Sequence, residues 1–313
     1  MLHQVRALSR VGTKWRFATL RGKLGSFRGW PESIVNNNLS DEQHEQYVII
    51  GLNKEVSVAT KKITKSGLRS FNLKMAALHA VQAFAILLLS KDFTLPVTTS
   101  FLNFEVKTQS LIPATKTLFN VPLAYLVVAF LAMSSLAHLI IATVYNKRYN
   151  KGLSSGINRA RWIEYSLSAS TMMVAIALLV GIYDLSLLIG IFGLVAVMNL
   201  LGLVMEVHNQ TTEKTNWLSY IIGCIAGIIP WVIVGVSFWA TSTYGNGDIP
   251  TFVYWIYVSI FIFFNCFALN MFLQYKGIGK WKDYMYGERV YIILSLVAKS
   301  ALAWQVFFGT LRP

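Results

Sequence analysis

The chain is short of charge, of sulfur and of acid. Only 13% of its 313 residues are Asp, Glu, Lys or Arg, where a soluble domain carries about a quarter, so a globule bathed in water is not the first reading. The two cysteines, Cys224 and Cys266, form no CxxC pair and have no histidine cluster near them, which excludes a disulfide scaffold or a zinc site. Packing as small apolar groups accounts for both. No nucleophile–base–orienter set stands out either, so an enzyme is not expected. Acids number 14 against 28 basic residues, for a net charge of +14. The positive residues lie in loops and a tail beside apolar runs, so contact with anionic lipid headgroups explains them better than nucleic-acid binding.

What fills the chain instead is hydrocarbon. Hydrophobic residues make up 55% of it, and the mean hydropathy is +0.51. Crossing a bilayer of roughly 30 Å takes about 20 apolar residues, and seven stretches qualify: 73–90, 118–145, 162–182, 185–205, 217–240, 250–274 and 290–310. The first is the shortest, and its only polar members after Lys74 are His79, Gln82 and Ser90. The expectation is an all-α membrane protein, a bundle of seven transmembrane helices over 71–313, preceded by a basic extension at 1–70.

Basic loops resist translocation, so their distribution orients the bundle. The N-terminal tail to Lys74 and the connections 146–161, 206–216 and 275–289 hold 23 of the 28 basic residues. The opposite side holds Lys91, Lys107, Lys116 and Arg312. The N-terminus is therefore expected in the cytoplasm and the C-terminus outside. Residues 1–31 carry Arg6, Arg10, Lys14, Arg16, Arg21, Lys23 and Arg28 and no acid. Two readings of that composition are open: an organellar transit segment, which would put the protein in an organelle membrane, or a basic arm lying on the cytoplasmic leaflet of the plasma membrane. Residues 32–70 read as a linker ending in a short helix.

Within the seven stretches only Glu164 and Lys299 carry full charge well inside. An unpaired charge at mid-membrane costs on the order of 2.5–3.5 kcal/mol on insertion scales, and an opposite charge about 4 Å away returns roughly 4 kcal/mol at an effective dielectric near 20. The two are expected to pair. One reading is a structural ion pair. The other is chemical: a buried lysine has its amine freed by desolvation and can condense with an aldehyde to a Schiff base, whose cation then needs a carboxylate counterion. Aromatics crowd the last three spans, with Trp231, Phe238, Trp239, Trp255, Phe261, Phe263, Phe264, Phe267 and Trp304. Such rings can sandwich a polyene or simply face lipid.

At these residues the sequence resembles a known family. Tyr291-Ile-Ile-Leu-Ser-Leu-Val-Ala-Lys-Ser-Ala-Leu-Ala-Trp-Gln305 resembles the seventh helix of the heliorhodopsins, and Arg161-Trp-Ile-Glu-Tyr-Ser-Leu-Ser168 their third. Gly223-Cys-Ile-Ala-Gly-Ile-Ile-Pro-Trp231 and Leu273-Gln-Tyr-Lys-Gly-Ile-Gly-Lys-Trp281 are similar as well, and the resemblance runs over about residues 70–312. It implies a light-sensing retinal protein with all-trans retinal on Lys299, Glu164 as counterion, and Ser295 and Ser168, each one helical turn from its charged neighbour, around the Schiff base. It further implies Tyr165, Met198, Phe264 and Trp304 as chromophore neighbours, and a polar cavity on the cytoplasmic side from His79, Gln82, Ser134, His138 and Asn158. Where many relatives carry Asn in the fourth helix, Val195 aligns. Ser295 stands where familiar outward pumps have a second acid, which points to slow photosensing rather than pumping, through a signalling partner the sequence does not identify. The other open readings are a light-gated proton conductance, with Glu105 and Glu206 as candidate groups, and a light-independent transporter. A homodimer is the family expectation, and Gly223-xxx-Gly227 permits close helix packing.

The charge asymmetry yields a direct test. In intact cells a tag at the N-terminus should resist external protease while one after Pro313 is cleaved; the reverse pattern would refute the inverted orientation.

Overall fold

The computed structural model describes residues 63–245 and 249–313. The basic extension, and with it both readings of residues 1–31 and most of the linker, lies outside the described residues. Seven helices are long and apolar enough to cross a membrane. They are α1 (Lys65–Leu89), α2 (Leu123–Ala142), α4 (Arg159–Leu179), α5 (Leu185–His208), α6 (Leu218–Tyr244), α7 (Thr251–Lys276) and α8 (Tyr284–Val306), with a short α3 (Asn146–Ser154) between the second and third spans. The chain is a multi-pass membrane protein.

Several helix ends differ from the hydropathy reading because capping, not hydropathy, sets them. Thr64 accepts a hydrogen bond from the Gly67 amide, and α1 starts at Lys65, well before 73. Asn158 caps α4 through the Arg161 amide, Asp184 caps α5 and Asp283 caps α8. Each satisfies backbone donors that a helix start leaves open. The extra turns bring Arg161, Glu206 and Glu288 inside helices, which matters below.

The larger difference is that the protein is not wholly helical. The connection expected at 91–117 is a long antiparallel hairpin, β1 (Thr94–Glu105) with β2 (Ser110–Pro122), and it absorbs the first residues assigned to the second span. β-branched and aromatic residues such as Val97, Thr98, Thr99, Phe101, Ile112, Thr115 and Phe119 favour the extended chain. Pro96 and Pro113 are tolerated because both strands are edges. The hairpin is held to the bundle by Leu95 and Val97, buried in its core, and by two hydrogen bonds before α5: the Thr98 amide donates to Tyr183 O at 2.8 Å, and the Ser100 amide to Asp184 Oδ2 at 2.9 Å. Hydrogen bonding from Ser100 holds the Asp184 carboxyl below its usual range.

Outward helix faces carry Val81, Phe84, Ile189, Ile225, Val232 and Trp255, all exposed, as lipid contact requires. Burial is uneven among the helices: 61% of the apolar window of α4 and 50% of that of the last span are buried, against 22–39% for the other five. The two inner helices are thus the ones that carry Glu164 and Lys299. Small residues let neighbours reach them. A Cβ at Gly202 of α5 would fall 2.5 Å from the Trp162 ring of α4, so this crossing is built on the absence of a side chain.

Candidate functional site: a buried lysine at the end of an apolar cavity

Lys299 lies midway along α8 and is 3% exposed. Its Nζ donates to Glu164 Oε1 at 2.8 Å and to Ser295 Oγ at 2.9 Å, and it sits 5.1 Å from the centroid of the Tyr165 ring. Helical spacing makes this arrangement: Ser295 is four residues before Lys299, and Glu164 and Tyr165 present adjacent side chains from α4. Glu164 also accepts from Ser134 Oγ of α2 at 2.6 Å. Ser168, one turn further along α4, is fully buried with its hydroxyl beside that carboxylate. The Tyr165 hydroxyl donates to Tyr291 O at 2.9 Å, which fixes α4 against α8.

From the amine a narrow cavity runs between four helices. It is lined by Tyr165, Ala169 and Met172 of α4, Met198 and Asn199 of α5, Phe264 and Phe267 of α7, and Ser295, Ala298 and Lys299 of α8. The α4 members are spaced i, i+4, i+7 and so share a face. Of the aromatics singled out by sequence, Phe264 and Phe267 reach the cavity. Trp231 packs edge-on to Phe264 and Phe261 behind it, and Trp239 and Trp255 point outward. Trp304 does not line it; its Nε1 donates to Gln82 Oε1 at 3.1 Å. Ala169, Met172 and Asn199 were missed by sequence. Asn199, one turn beyond Val195 and donating to its carbonyl at 2.8 Å, is an amide four residues from where one was sought.

Beside the ion pair, His79 and His138 stack with ring centroids 5.7 Å apart and planes 8° from parallel. His138 Nδ1 meets Asn72 Oδ1 at 2.7 Å, while neither ring nitrogen of the fully buried His79 has a hydrogen-bond partner. The structure therefore brings His79, Ser134 and His138 together next to Glu164. Gln82 faces Trp304 instead, and Asn158 belongs to a second cluster.

That second cluster overturns the expectation that Glu164 and Lys299 are the only charges within the spans. Arg161 is 4% exposed and forks its guanidinium to Glu206 of α5 and Glu288 of α8, each 2% exposed. Tyr149 Oη donates to Glu288 at 3.1 Å and Asn158 Nδ2 at 2.7 Å. Trp162 Nε1 donates to Glu206 at 2.8 Å, as does Tyr284 Oη at 3.0 Å. The guanidinium stacks over the Tyr291 ring at 4.0 Å. Hydropathy placed these three residues at span margins, and only the added helical turns enclose them. Among the described residues no group of His, Cys, Asp or Glu is arranged to hold a metal ion.

A seven-helix membrane bundle with one lysine amine closing the end of an apolar, aromatic-lined cavity has the architecture of a retinal protein. The heliorhodopsin family model matches residues 68–311, and the chain belongs to the heliorhodopsin family. It is accordingly a retinal-binding, light-responsive membrane protein. No curated protein matches the chain.

Removing one partner of the second cluster should be costly, because the others stay buried and charged. Arg161→Ala is expected to cost about 3–5 kcal/mol. Arg161→Met combined with Glu206→Gln and Glu288→Gln should recover part of that, since no uncompensated charge remains. Thermal unfolding of the detergent-solubilised protein measures both, and an unchanged midpoint for Arg161→Ala would contradict the assignment.

Proposed function

We propose that the protein is a photoreceptor in which all-trans retinal is joined to Lys299 as a protonated Schiff base with Glu164 as its counterion, and that it does not pump ions. The observation that carries this reading is the 2.8 Å contact between Lys299 Nζ and Glu164 Oε1 at the closed end of the cavity. When bound there, the chromophore supplies absorption of visible light and isomerisation of a double bond. The chain's own groups do the rest. Glu164 places a negative charge against the amine end, worth roughly 6 kcal/mol at 2.8 Å for an effective dielectric of about 20. Ser134 and Ser295 hold the carboxylate and the amine in register, with the Ser168 hydroxyl buried beside the carboxylate. Tyr165, Phe264 and Phe267 wall the cavity, and Met172 and Met198 fill its irregular sides.

Against pumping stands the distribution of titratable groups along the bundle axis. From Lys299 towards the hairpin the helices contain no Asp or Glu, and the packing there is aliphatic: Ile86, Leu123, Val127, Ile176, Leu188 and Val306. Towards the other end lie His79, His138, Asn72 and then the Arg161 cluster. Beyond Glu164, a proton leaving the amine end has acceptors on one side only, His79 and His138 among them. We place that polar side in the cytoplasm on the loop charges. Glu206, a candidate for a proton conductance, is tied to Arg161, and Glu105 ends the outer part of β1. Neither stands beside Lys299. A homodimer and an unidentified signalling partner complete the proposal, with bilayer lipid as the surroundings.

Lys299→Ala should leave an inserted protein that forms no visible pigment with retinal; a surviving wild-type band would disprove the attachment site. Glu164→Gln should shift the absorption maximum to the red, because the ground-state charge held at the amine end loses its partner while the excited state, with charge spread along the polyene, loses less. An unchanged maximum in the spectrum of the reconstituted variant would assign the counterion elsewhere.

A further inference from the structure

The Gly223-xxx-Gly227 pair has no role in the site as described so far. In sequence it permits close packing of helices, within a subunit or between two. The structure turns both glycines towards α5 of the same chain. At Gly223 a Cβ would stand 3.6 Å from Leu201 Cβ and from Met198 O, an ordinary contact. At Gly227 it would overlap Met198 Sδ and stand 3.2 Å from Met198 Cγ. So an alanine is accommodated at the first position, while at the second it displaces the end of a single flexible side chain, one that lines the cavity with Lys299. Gly227 lies four residues before Trp231, which is 3% exposed and backs Phe264. This stretch of α6 is therefore seated against the cavity wall and not free to retreat.

The geometry points to Gly227 as a positioning residue for the chromophore: by presenting no side chain it lets the Met198 thioether lie back against α6, and so fixes the shape and polarisability of that wall. This rests on the retinal reading given above. The physical basis is that thioether sulfur is polarisable and its side chain turns about three bonds. A methyl group on Gly227 moves the sulfur without touching the amine, the carboxylate or their serines. A polyene whose charge shifts on excitation senses such a displacement in its absorption.

A double-mutant cycle of Gly227→Ala and Met198→Ala tests the inference by two readouts, since residues in direct contact give non-additive effects. The first needs no retinal. Alanine is a better helix former than glycine where space allows, so Gly227→Ala should raise the melting temperature of the apoprotein less with Met198 present, where the thioether must move, than in the Met198→Ala background. The second is spectroscopic: Gly227→Ala should shift the pigment's absorption maximum in the wild-type background and add no shift when residue 198 is already alanine. Gly223→Ala, in its roomier place, should raise the melting temperature equally in both backgrounds and leave the absorption maximum unmoved. Equal Gly227→Ala effects in both backgrounds would overturn the steric coupling. A coupled melting temperature with an unmoved spectrum would reduce Gly227 to a structural role and overturn the inference. Failure of the wild-type protein to form any pigment would remove the retinal reading itself, and the positioning role would fall with it, whatever the melting cycle gave.

Discussion

One buried ammonium organises this molecule. Lys299 stands mid-helix in a membrane protein, where an isolated charge is costly, and the surrounding structure is arranged to answer it. Glu164 supplies the opposite charge from α4, Ser134 of α2 fixes that carboxylate, and Ser295 adds a second acceptor from the lysine's own helix. To bring these groups within hydrogen-bond reach, α4 and α8 must be the inner helices, and they are the most buried of the seven spans. Any change that moves α4 relative to α8 therefore acts on the ion pair.

The Arg161 cluster holds the same two helices together nearer their N-terminal ends, about one turn along α4 and about three along α8. Arg161 precedes Glu164 by three residues on α4, and Glu288 precedes Lys299 on α8, so both ion clusters bridge α4 and α8, with Glu206 recruiting α5 to one of them. Between them lie Tyr165 and Tyr291, joined through a hydroxyl-to-carbonyl bond, with Lys299 near one ring and Arg161 over the other. Asn72 of α1 adds a second connection, bonding His138 and lying beside Tyr149, which donates to Glu288. Polar contact thus continues from the lysine to one end of the bundle, while the other end is packed with aliphatic side chains. That one-sidedness is the observation behind the proposal that the protein senses light without pumping ions.

Close packing without side chains is the third recurring device. Gly202 admits the Trp162 ring and Gly227 admits the Met198 thioether, so large residues of one helix rest in gaps of the next. In lipid, where apolar surface gains little by leaving its surroundings, such interlocking is a principal source of helix association. It also carries information from packing to the cavity, because Met198 belongs to both.

The sequence by itself determined the membrane class, the seven spans and the Lys299–Glu164 pair. Each depends on a quantity that a linear chain displays: runs of hydrocarbon long enough to cross a bilayer, and full charges too costly to leave unpaired within them. Ser295 and Ser168 entered through the family resemblance, and their spacing, four residues from Lys299 and from Glu164, agrees with one helical turn. The hairpin was not read, because Thr, Val and Phe alternating beside Pro and Lys give a weaker signal than the apolar runs flanking them. Nor was the Arg161 cluster. Its members are 45 and 127 residues apart along the chain, each looks like an ordinary charge at the margin of a span, and only capped helices that extend a turn past the hydropathy boundary enclose them. Trp304 was expected beside the chromophore and Asn158 in the cytoplasmic polar cavity, yet one turns to Gln82 and the other to Glu288. Which way a helix is rotated about its axis is decided by its neighbours. Only the tertiary structure holds that decision, because helical periodicity states which residues share a face and not what that face meets.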